Sequence, residues 1–226
     1  MSTAREVKDR LYSQFAQLGH ALASPKRLEL LDLLCQSEKT VETLAGHSSM
    51  SVANTSRHLG VLRGARLVDR RQEGVFVYYR LAGSEVCDFF RGLRRLAESR
   101  MAEVDRIISD YFEPSTRLQP IDRKTLLKRA RVGEVVILDV RPEDEFSAGH
   151  LPLAVSVPLS QLLKRLREFS PDKEIVAYCR GPYCVLAQEA VSLLRSKGFK
   201  AYSLSDGIAE WKDAGLPVEP MPATRK

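Results

Sequence analysis

Apolar residues recur every three or four positions through most of the first 112 residues, a spacing that predicts amphipathic helices. The first predicted helix covers residues 5–22, and its apolar stripe is formed by Val7, Leu11, Phe15, Leu18 and Leu22. A second helix follows Ser24-Pro25, because serine caps helices well and proline is tolerated at the first helical position. The last predicted helix of this half is long, covering residues 84–112, and its apolar stripe exceeds what one small domain needs.

Between these helices the pattern predicts a helix-turn-helix followed by a hairpin. A short helix, a turn over residues 46–49 and a helix over residues 51–63 make up the helix-turn-helix. Two β-prone segments, residues 67–71 and 75–81, flank a turn and are predicted to pair. A helix-turn-helix with a hairpin beside it is a winged helix-turn-helix, whose second helix is typically the one that reads a DNA groove.

The helix-turn-helix region also has the charge expected of a surface that faces phosphate groups. Residues 43–68 contain no Asp or Glu, although the whole chain has 29 acidic residues and a net charge of +6. The predicted core-facing residues of the second helix are Val52, Thr55, Leu59 and Leu62. Asn54 and Arg57 are then left outward, where they can bond adenine and guanine. The candidate DNA-binding residues are Ser51, Ala53, Asn54, Ser56, Arg57 and His58 on the helix, with Arg70 and Arg71 on the hairpin.

Residues 23–81 resemble the winged helix-turn-helix of the ArsR family of small repressors. The segments that match best are Ser56-Arg57-His58-Leu59 and Val61-Leu62-Arg63. The resemblance implies that the long helix and the first helix form the seam of a homodimer, which would bind an inverted-repeat operator. One departure is Arg66, which stands where the family often has glycine, so Gly64 could shape this turn instead.

After a predicted linker at residues 113–117 the pattern changes to short apolar strands that alternate with helices. Strands are predicted at residues 134–140, 155–157, 174–178 and 201–204. This alternation predicts a mostly parallel sheet with helices on both faces, in which active sites lie at the carboxyl ends of strands. The sequence therefore predicts two domains: residues 1–118, mainly α with a winged helix-turn-helix and a long dimerisation helix, and residues 119–226, an α/β domain.

The segment from Cys179 to Val185 lies between the third of these strands and a helix predicted over residues 184–197. At such a junction the loop amides and the positive end of the helix dipole point into the turn, and Arg180 adds a full charge. We therefore expect Cys179 to titrate low and to be a thiolate near neutral pH. Asp139, at the end of a neighbouring strand, and Arg141 are expected to support the site rather than to react.

This loop resembles the active loop of the rhodanese (sulfurtransferase) family, and the resemblance covers about the last 108 residues. Further matching segments are Leu138-Asp139-Val140-Arg141-Pro142, Glu145-Phe146, Gly149-His150-Leu151-Pro152 and Asp206-Gly207. In that family the loop cysteine takes a sulfane sulfur from a donor such as thiosulfate and holds it as a persulfide. The resemblance assigns this role to Cys179, and the substrate-binding loop to Arg180, Gly181, Pro182, Tyr183, Cys184 and Val185. Related phosphatases have an arginine six residues after the cysteine, where Val185 stands, so phosphatase chemistry is not expected.

The other three cysteines have open roles. Cys184 could resolve a persulfide on Cys179 or could simply begin the next helix. Cys35 and Cys87, in the first domain, are either a thiol-sensing pair or ordinary small core residues. No pair has metal-ligand spacing, so neither a metal site nor a cofactor is predicted. The start of the chain is not a signal peptide, and no apolar run approaches the roughly 18 residues of a membrane span, so a cytoplasmic location without membrane contact is expected.

These features together predict a homodimeric transcriptional regulator, acting as a repressor, whose rhodanese domain senses or transfers sulfane sulfur through Cys179. Its expected partners are DNA, a second copy of the chain and a small sulfur donor such as thiosulfate or a persulfide. Two alternatives stay open. The protein could be primarily a sulfurtransferase with autoregulatory DNA binding, or a repressor that responds to a metal or to arsenic.

Overall fold

The computed structural model describes residues 3–111 and 123–220, and the chain divides into two compact units, Met1–Arg100 and Met101–Lys226. Each unit has its own hydrophobic core. The linker predicted at residues 113–117 and the boundary predicted near residue 118 lie outside the described residues. Within the described ranges, none of the helices combines the length and the apolar content needed to cross a membrane.

The first unit is a winged helix-turn-helix, as predicted. Its helices are α1 (Ala4–Leu22), α2 (Pro25–Gln36), α3 (Val41–His47), α4 (Val52–Gly64) and α5 (Ser84–Arg100). Its strands are β1 (Lys39–Thr40), β2 (Val68–Glu73) and β3 (Phe76–Leu81), which pair antiparallel in the order β1-β3-β2. The hairpin of β2 and β3 is the predicted wing. The strand β1 was not predicted, because two residues carry no readable periodicity.

The core of this unit holds α4, the helix expected to read DNA, against α2. The buried residues at this contact are Leu30, Leu31 and Leu34 of α2 with Leu59 and Leu62 of α4. Burying one leucine side chain stabilises a fold by about 1.5–3 kcal/mol, so the cluster fixes the position of α4. Val52, predicted to face the core, is instead 45% exposed. It is the first residue of α4, one turn ahead of the first buried position, Thr55.

The turn that leaves α4 depends on a left-handed residue. Arg66 has a φ of +57°, in the region that favours glycine, and its amide bonds the carbonyl of Arg63 at 2.9 Å. The amide of Leu67 bonds the carbonyl of Leu62 at 3.0 Å and so closes the helix end. Gly64 is the last residue of α4 and does not take the turning role. An arginine in this conformation costs about 1–2 kcal/mol, which explains why glycine suits the position.

The helix predicted over residues 84–112 is wrong as a single element. The helix α5 ends at Arg100, and a separate helix α6 (Ala102–Tyr111) begins after Met101. Near this break the hydroxyl of Ser99 donates to the carbonyl of Leu96 at 3.0 Å. A side-chain bond of this kind competes with the helical backbone bonds. Residue 112 lies outside the described residues.

The second unit contains the predicted α/β fold. Besides α6, its helices are α7 (Arg123–Arg131), α8 (Glu143–Ala148), α9 (Leu159–Arg165), α10 (Val185–Ser196) and α11 (Ile208–Asp213). Its strands are β4 (Val135–Asp139), β5 (Val155–Ser156), β6 (Glu174–Tyr178) and β7 (Lys200–Ser203). All pairings between these strands are parallel, in the order β5-β4-β6-β7, which confirms the predicted parallel sheet.

Side chains alternate between the two faces of this sheet and build a core on each face. On β6, Ile175 and Ala177 pack with residues of α10, whereas Val176 packs on the other face with Trp211 of α11. The alternation continues past the end of the strand. Cys179 therefore lies on the α10 side, inside the core.

Candidate functional site

Cys179 follows β6 and is only 1% exposed. Its thiol donates to the carbonyl of Cys184 at 3.2 Å, and the backbone amides of Gly181 and Ala187 lie close enough to its sulfur to favour the thiolate. Burial raises the pKa of Cys179 well above its ordinary value, and Cys184 raises it further through a hydrogen bond and its charge. The low pKa expected for Cys179 is therefore wrong, because strand alternation carries the thiol into the core, where the loss of solvent outweighs the two amides.

Cys184 has the opposite electrostatics at the other end of the same loop. It immediately precedes α10, is partly exposed, and is hydrogen bonded to the Cys179 thiol. This bond lowers the pKa of Cys184 to about 7, against the opposing effect of burial. The amide and the charge of Arg180 and the amide of Leu186 lower it as well. Of the two thiols, Cys184 is therefore the one that ionises more readily near neutral pH.

The loop itself is closed around the two sulfurs. The residues predicted to bind substrate are, in order, Arg180, Gly181, Pro182, Tyr183, Cys184 and Val185; all are partly buried except the last, which begins α10. Gly181 turns the chain with a φ of +152°, and its carbonyl accepts the amide of Cys184 at 3.2 Å. The cavity beside the sulfurs has a volume of about 10 Å³, room for roughly one water-sized atom. A donor as large as thiosulfate cannot occupy this cavity unless the loop moves.

Two residues outside the loop hold it in this shape. The guanidinium of Arg180 bonds both carboxylate oxygens of Glu145 at 2.8–3.1 Å, and Glu145 is fully buried in α8. Gly207 lies against the loop backbone, since a β-carbon there would overlap the carbonyl of Arg180. In the sequence, Glu145 and Gly207 stand out only as members of the segments that match the rhodanese family. The motif was the one available signal, because nothing local to Glu145 shows that it pairs with a residue 35 positions away.

Asp139 and Arg141, the predicted supporting residues, form a buried ion pair at the end of β4. Arg141 bonds the two carboxylate oxygens of Asp139 through Nε and Nη2, at 3.0 and 2.6 Å, and also bonds the carbonyl of Gly149 at 2.7 Å. The hydroxyl of Tyr178 donates to Asp139 and accepts the amide of Leu151. Burial lowers the pKa of Arg141, but its bonds to Asp139 raise it above the ordinary value, so the arginine stays charged. The network ties β4 to β6.

The candidate DNA-binding face of α4 is small and polar and carries one arginine. Its exposed members are Ala53, Ser56 and Arg57, and its half-buried members are Asn54 and His58. Arg57 has no hydrogen bond or ion pair with other described residues, so its guanidinium is available to a ligand. The hydroxyl of Ser51 accepts the amide of Asn54 at 3.2 Å and therefore caps the helix.

The two arginines predicted on the wing differ in their surroundings. Arg70 is exposed on β2. Arg71 bonds Glu38 through Nε and Nη2, at 2.9 and 2.6 Å, bonds Glu73 as well, and stacks over the ring of Tyr78. The charge of Arg71 is thus already balanced by two carboxylates. This pairing could not be predicted from the sequence, because Glu38 lies 33 positions away from Arg71.

Cys35 and Cys87, the candidate thiol sensor, are joined by a disulfide. Their Cα atoms are 5.6 Å apart, and the bond links the end of α2 to the start of α5. A disulfide of this kind is ordinary in secreted proteins, whereas in reducing compartments it is usually transient and redox-sensing. Among residues 3–111 and 123–220, no three His, Cys, Asp or Glu side chains are grouped so that they could hold a metal ion.

Replacing Arg180 by glutamine is expected to raise the pKa of Cys184, because the amide side chain can still bond Glu145 but carries no charge. Alkylation of Cys184 at pH 7 should then slow several-fold, since a higher pKa leaves less thiolate. The measurement is the pH dependence of iodoacetamide labelling, read by mass spectrometry. Arg180→Lys is the matched control and should keep the low pKa; equal profiles for all three proteins would show that the charge has no such effect.

Two protein-family models match the chain. Residues 24–70 match the model for bacterial regulatory proteins of the arsR family, and residues 122–214 match the model for the rhodanese-like domain. The HTH-type transcriptional regulator Rv0324 of Mycobacterium tuberculosis is 41% identical over 219 residues, which cover 97% of this chain and 96% of that protein. The chain therefore belongs to the ArsR family of bacterial regulatory proteins, in a form that carries a C-terminal rhodanese-like domain.

Further similarities match parts of the chain. A sulfurtransferase of Allochromatium vinosum is 30% identical over 43% of this chain and 92% of that protein. Among solved structures, the homodimeric winged helix-turn-helix DNA-binding domain of a possible ArsR-family regulator from Mycobacterium bovis is 37% identical. It covers 45% of this chain and 94% of that chain, with a TM-score of 0.42. Of these three relatives, the Mycobacterium tuberculosis regulator spans both halves of the chain.

Proposed function

We propose that this protein is a homodimeric DNA-binding repressor whose rhodanese-like domain takes up sulfane sulfur at the loop of Cys179 and Cys184. The observation that carries the proposal is the similarity, over nearly the full length, to a helix-turn-helix transcriptional regulator. Thiosulfate or a persulfide is the proposed donor, and Cys179 is the proposed carrier of the persulfide. A cytoplasmic location is part of the proposal, because a repressor must meet the chromosome.

Binding of an operator as a dimer is supported by two surfaces of the first unit. The outward face of α4 carries Arg57, which can bond guanine in the major groove. The apolar stripe of α1 is uncovered in the single chain, with Leu11 52% and Phe15 60% exposed. A second copy of the chain would bury this stripe, since exposed apolar patches mark interfaces. A twofold dimer presents two copies of α4, so we propose an inverted-repeat operator.

The closed loop favours sensing over fast sulfurtransfer as the main output. A catalyst that turns over rapidly needs an open carrier, whereas Cys179 is buried beside a cavity of about 10 Å³. Steady-state transfer of sulfur from thiosulfate to cyanide separates the two functions, because sustained turnover would support the sulfurtransferase alternative. For the metal- or arsenic-responsive alternative, the described residues bring together no group of metal-binding side chains that would support it.

The disulfide of Cys35 and Cys87 supports a second candidate sensor in the first unit. It joins α2 to α5, and α2 packs directly on α4, the proposed recognition helix. Closing or opening this bond would therefore act on the helix that positions α4. A titration of operator DNA with a cysteine variant of each site distinguishes this disulfide from the Cys179 loop as the sensor.

Sulfur loading is expected to change the operator affinity by about 5- to 150-fold, a coupling free energy of about 1–3 kcal/mol. The measurement is a pair of anisotropy titrations on DNA selected by the protein from random sequences, before and after exposure to glutathione persulfide. Cys179→Ser and Cys35→Ser are the matched variants. Loss of the response in Cys179→Ser alone supports the loop as the sensor, and loss in Cys35→Ser alone supports the disulfide pair. Equal affinities in both states of the unaltered protein would remove sensing from the proposal and leave DNA binding.

A further inference from the structure

The two thiols of the rhodanese-like loop differ in access as well as in charge. Cys179 is 1% exposed and packs with the apolar residues of α10. Cys184 precedes α10 and is partly exposed, so a donor in solution meets this thiol first. The Cys179 thiol donates to the backbone carbonyl of Cys184 at 3.2 Å, and its side chain is close enough to that of Cys184 for each to shift the pKa of the other.

On the basis of the proposed function, we infer that sulfane sulfur is first accepted by Cys184 and is then handed to Cys179, which stores it. Cys184 is the nucleophile that meets the donor. Cys179 is the buried carrier, shielded from other thiols. The two cysteines thus act in the reverse of their order along the chain.

The choice of Cys184 as first acceptor follows from geometry and ionisation together. The thiolate, not the thiol, attacks a sulfur–sulfur bond. The pKa of Cys184 is lowered to about 7, whereas burial and the neighbouring Cys184 raise the pKa of Cys179. The amides of Arg180 and Leu186 point at the Cys184 sulfur and stabilise its negative charge. At neutral pH Cys184 is therefore both the more accessible and the more reactive of the two.

The choice of Cys179 as the store follows from its surroundings. The cavity beside it has room for roughly one added atom, which is what a persulfide requires. The amides of Gly181 and Ala187 already point at the Cys179 sulfur and would stabilise a persulfide anion. A larger group on this sulfur would have to displace the loop or α10.

The transfer proceeds in two balanced steps. The thiolate of Cys184 attacks the outer sulfur of a persulfide donor; a new sulfur–sulfur bond forms on Cys184, and the donor thiolate leaves with the electrons of the broken bond. Cys179 then gives up its proton and, as the thiolate, attacks the same outer sulfur, while the departing Cys184 sulfur takes up a proton. The product is a persulfide on Cys179 and a free thiol on Cys184. Neither step needs an oxidant, because the sulfane sulfur keeps its oxidation state.

The test uses the full chain with Cys35→Ser and Cys87→Ser, so that of its four cysteines only Cys179 and Cys184 remain. This parent and its Cys179→Ser and Cys184→Ser derivatives are exposed to glutathione persulfide at pH 7, alkylated at intervals and digested. Mass spectrometry then locates the added sulfur. We expect Cys179→Ser to accept sulfur on Cys184 at the parent rate. We expect Cys184→Ser to load Cys179 about tenfold more slowly or worse, with a rate that recovers as the pH rises.

The possible results test three separate points: the order in which the cysteines accept sulfur, the transfer between them, and the uptake of sulfur itself. Loading of Cys179 at the parent rate in Cys184→Ser, or no sulfur on Cys184 in Cys179→Ser, overturns the order of acceptance. A Cys179–Cys184 disulfide with release of hydrosulfide from the parent overturns the hand-over. No sulfur on either cysteine of the parent means that the proposed uptake itself fails, before the order is in question. The Cys179→Ser arm decides the order alone if Cys184→Ser does not fold, which the fluorescence of the buried Trp211 reports.

Discussion

Replacing Arg57 by alanine is expected to weaken operator binding by about 2–6 kcal/mol in a twofold dimer, twice the 1–3 kcal/mol of one bidentate arginine–guanine contact. The expectation follows from the position of Arg57 on the outward face of α4, without a hydrogen bond or ion pair to other described residues. The measurement is a titration with operator DNA and with unrelated DNA at two salt concentrations. Arg57→Lys keeps the charge but loses the planar fork, so it should bind unrelated DNA normally and lose preference for the operator.

Arg71→Ala is the matched control for this prediction. Its guanidinium is held by Glu38 and Glu73, so its removal should change the affinity much less than removal of Arg57. If Arg57→Ala weakens binding to operator and unrelated DNA equally, the side chain contacts the DNA backbone and not a base.

Replacing Asp139 by alanine is expected to destabilise the second unit by about 3–5 kcal/mol, because the guanidinium of Arg141, which is 1% exposed, would lose the carboxylate that it bonds through two nitrogens. A loss of this size is a large share of the stability of an ordinary domain. Trp211 is the single tryptophan of the chain and lies in the core of the second unit. Its fluorescence during urea unfolding therefore follows this unit without interference from the first.

Tyr178→Phe is the milder companion of Asp139→Ala. It removes one hydroxyl that donates to Asp139 but leaves the ion pair intact, so about 1.5–3 kcal/mol is expected. Operator binding should survive both changes, because the first unit has its own core. Unfolding of Asp139→Ala at the same urea concentration as the unaltered protein would show that the ion pair does not stabilise the fold.

Most of the fold could be predicted from the sequence because its signals are local. The leucines of α2 and α4 recur at helical spacing, and the strands of the second unit are short apolar runs. The break at Met101 had no such signal, since no glycine or proline interrupts the helix there. The left-handed conformation of Arg66 was indicated in part, because glycine is common at that position in the resembling family, but its φ of +57° is seen only in the folded chain.

The position of the candidate site in the fold could be predicted from the sequence, but the ionisation of its two cysteines could not. The segment of Cys179 is recognisable as a strand-to-helix loop, and Ile175, Ala177 and Cys179 already alternate along the sequence. That alternation was the one local signal that Cys179 is buried and that its pKa is raised. The remaining features join residues far apart along the chain, as in the pairing of Arg180 with Glu145 and the disulfide of Cys35 and Cys87. Local patterns contain no information about such distances.

Because Arg71 is already paired with Glu38 and Glu73, a count of basic residues overstates how steeply the proposed DNA affinity falls with salt. Each phosphate that a protein neutralises releases condensed counterions and contributes about 0.9 to the slope of log affinity against log salt concentration. An arginine that is already paired with carboxylates of the protein neutralises little phosphate charge, and so it releases few counterions from the duplex. Arg80 of the hairpin faces Asp69 at 3.7 Å, so the polyelectrolyte contribution of the wing rests mainly on Arg70, and the hairpin adds more through its shape than through its charge.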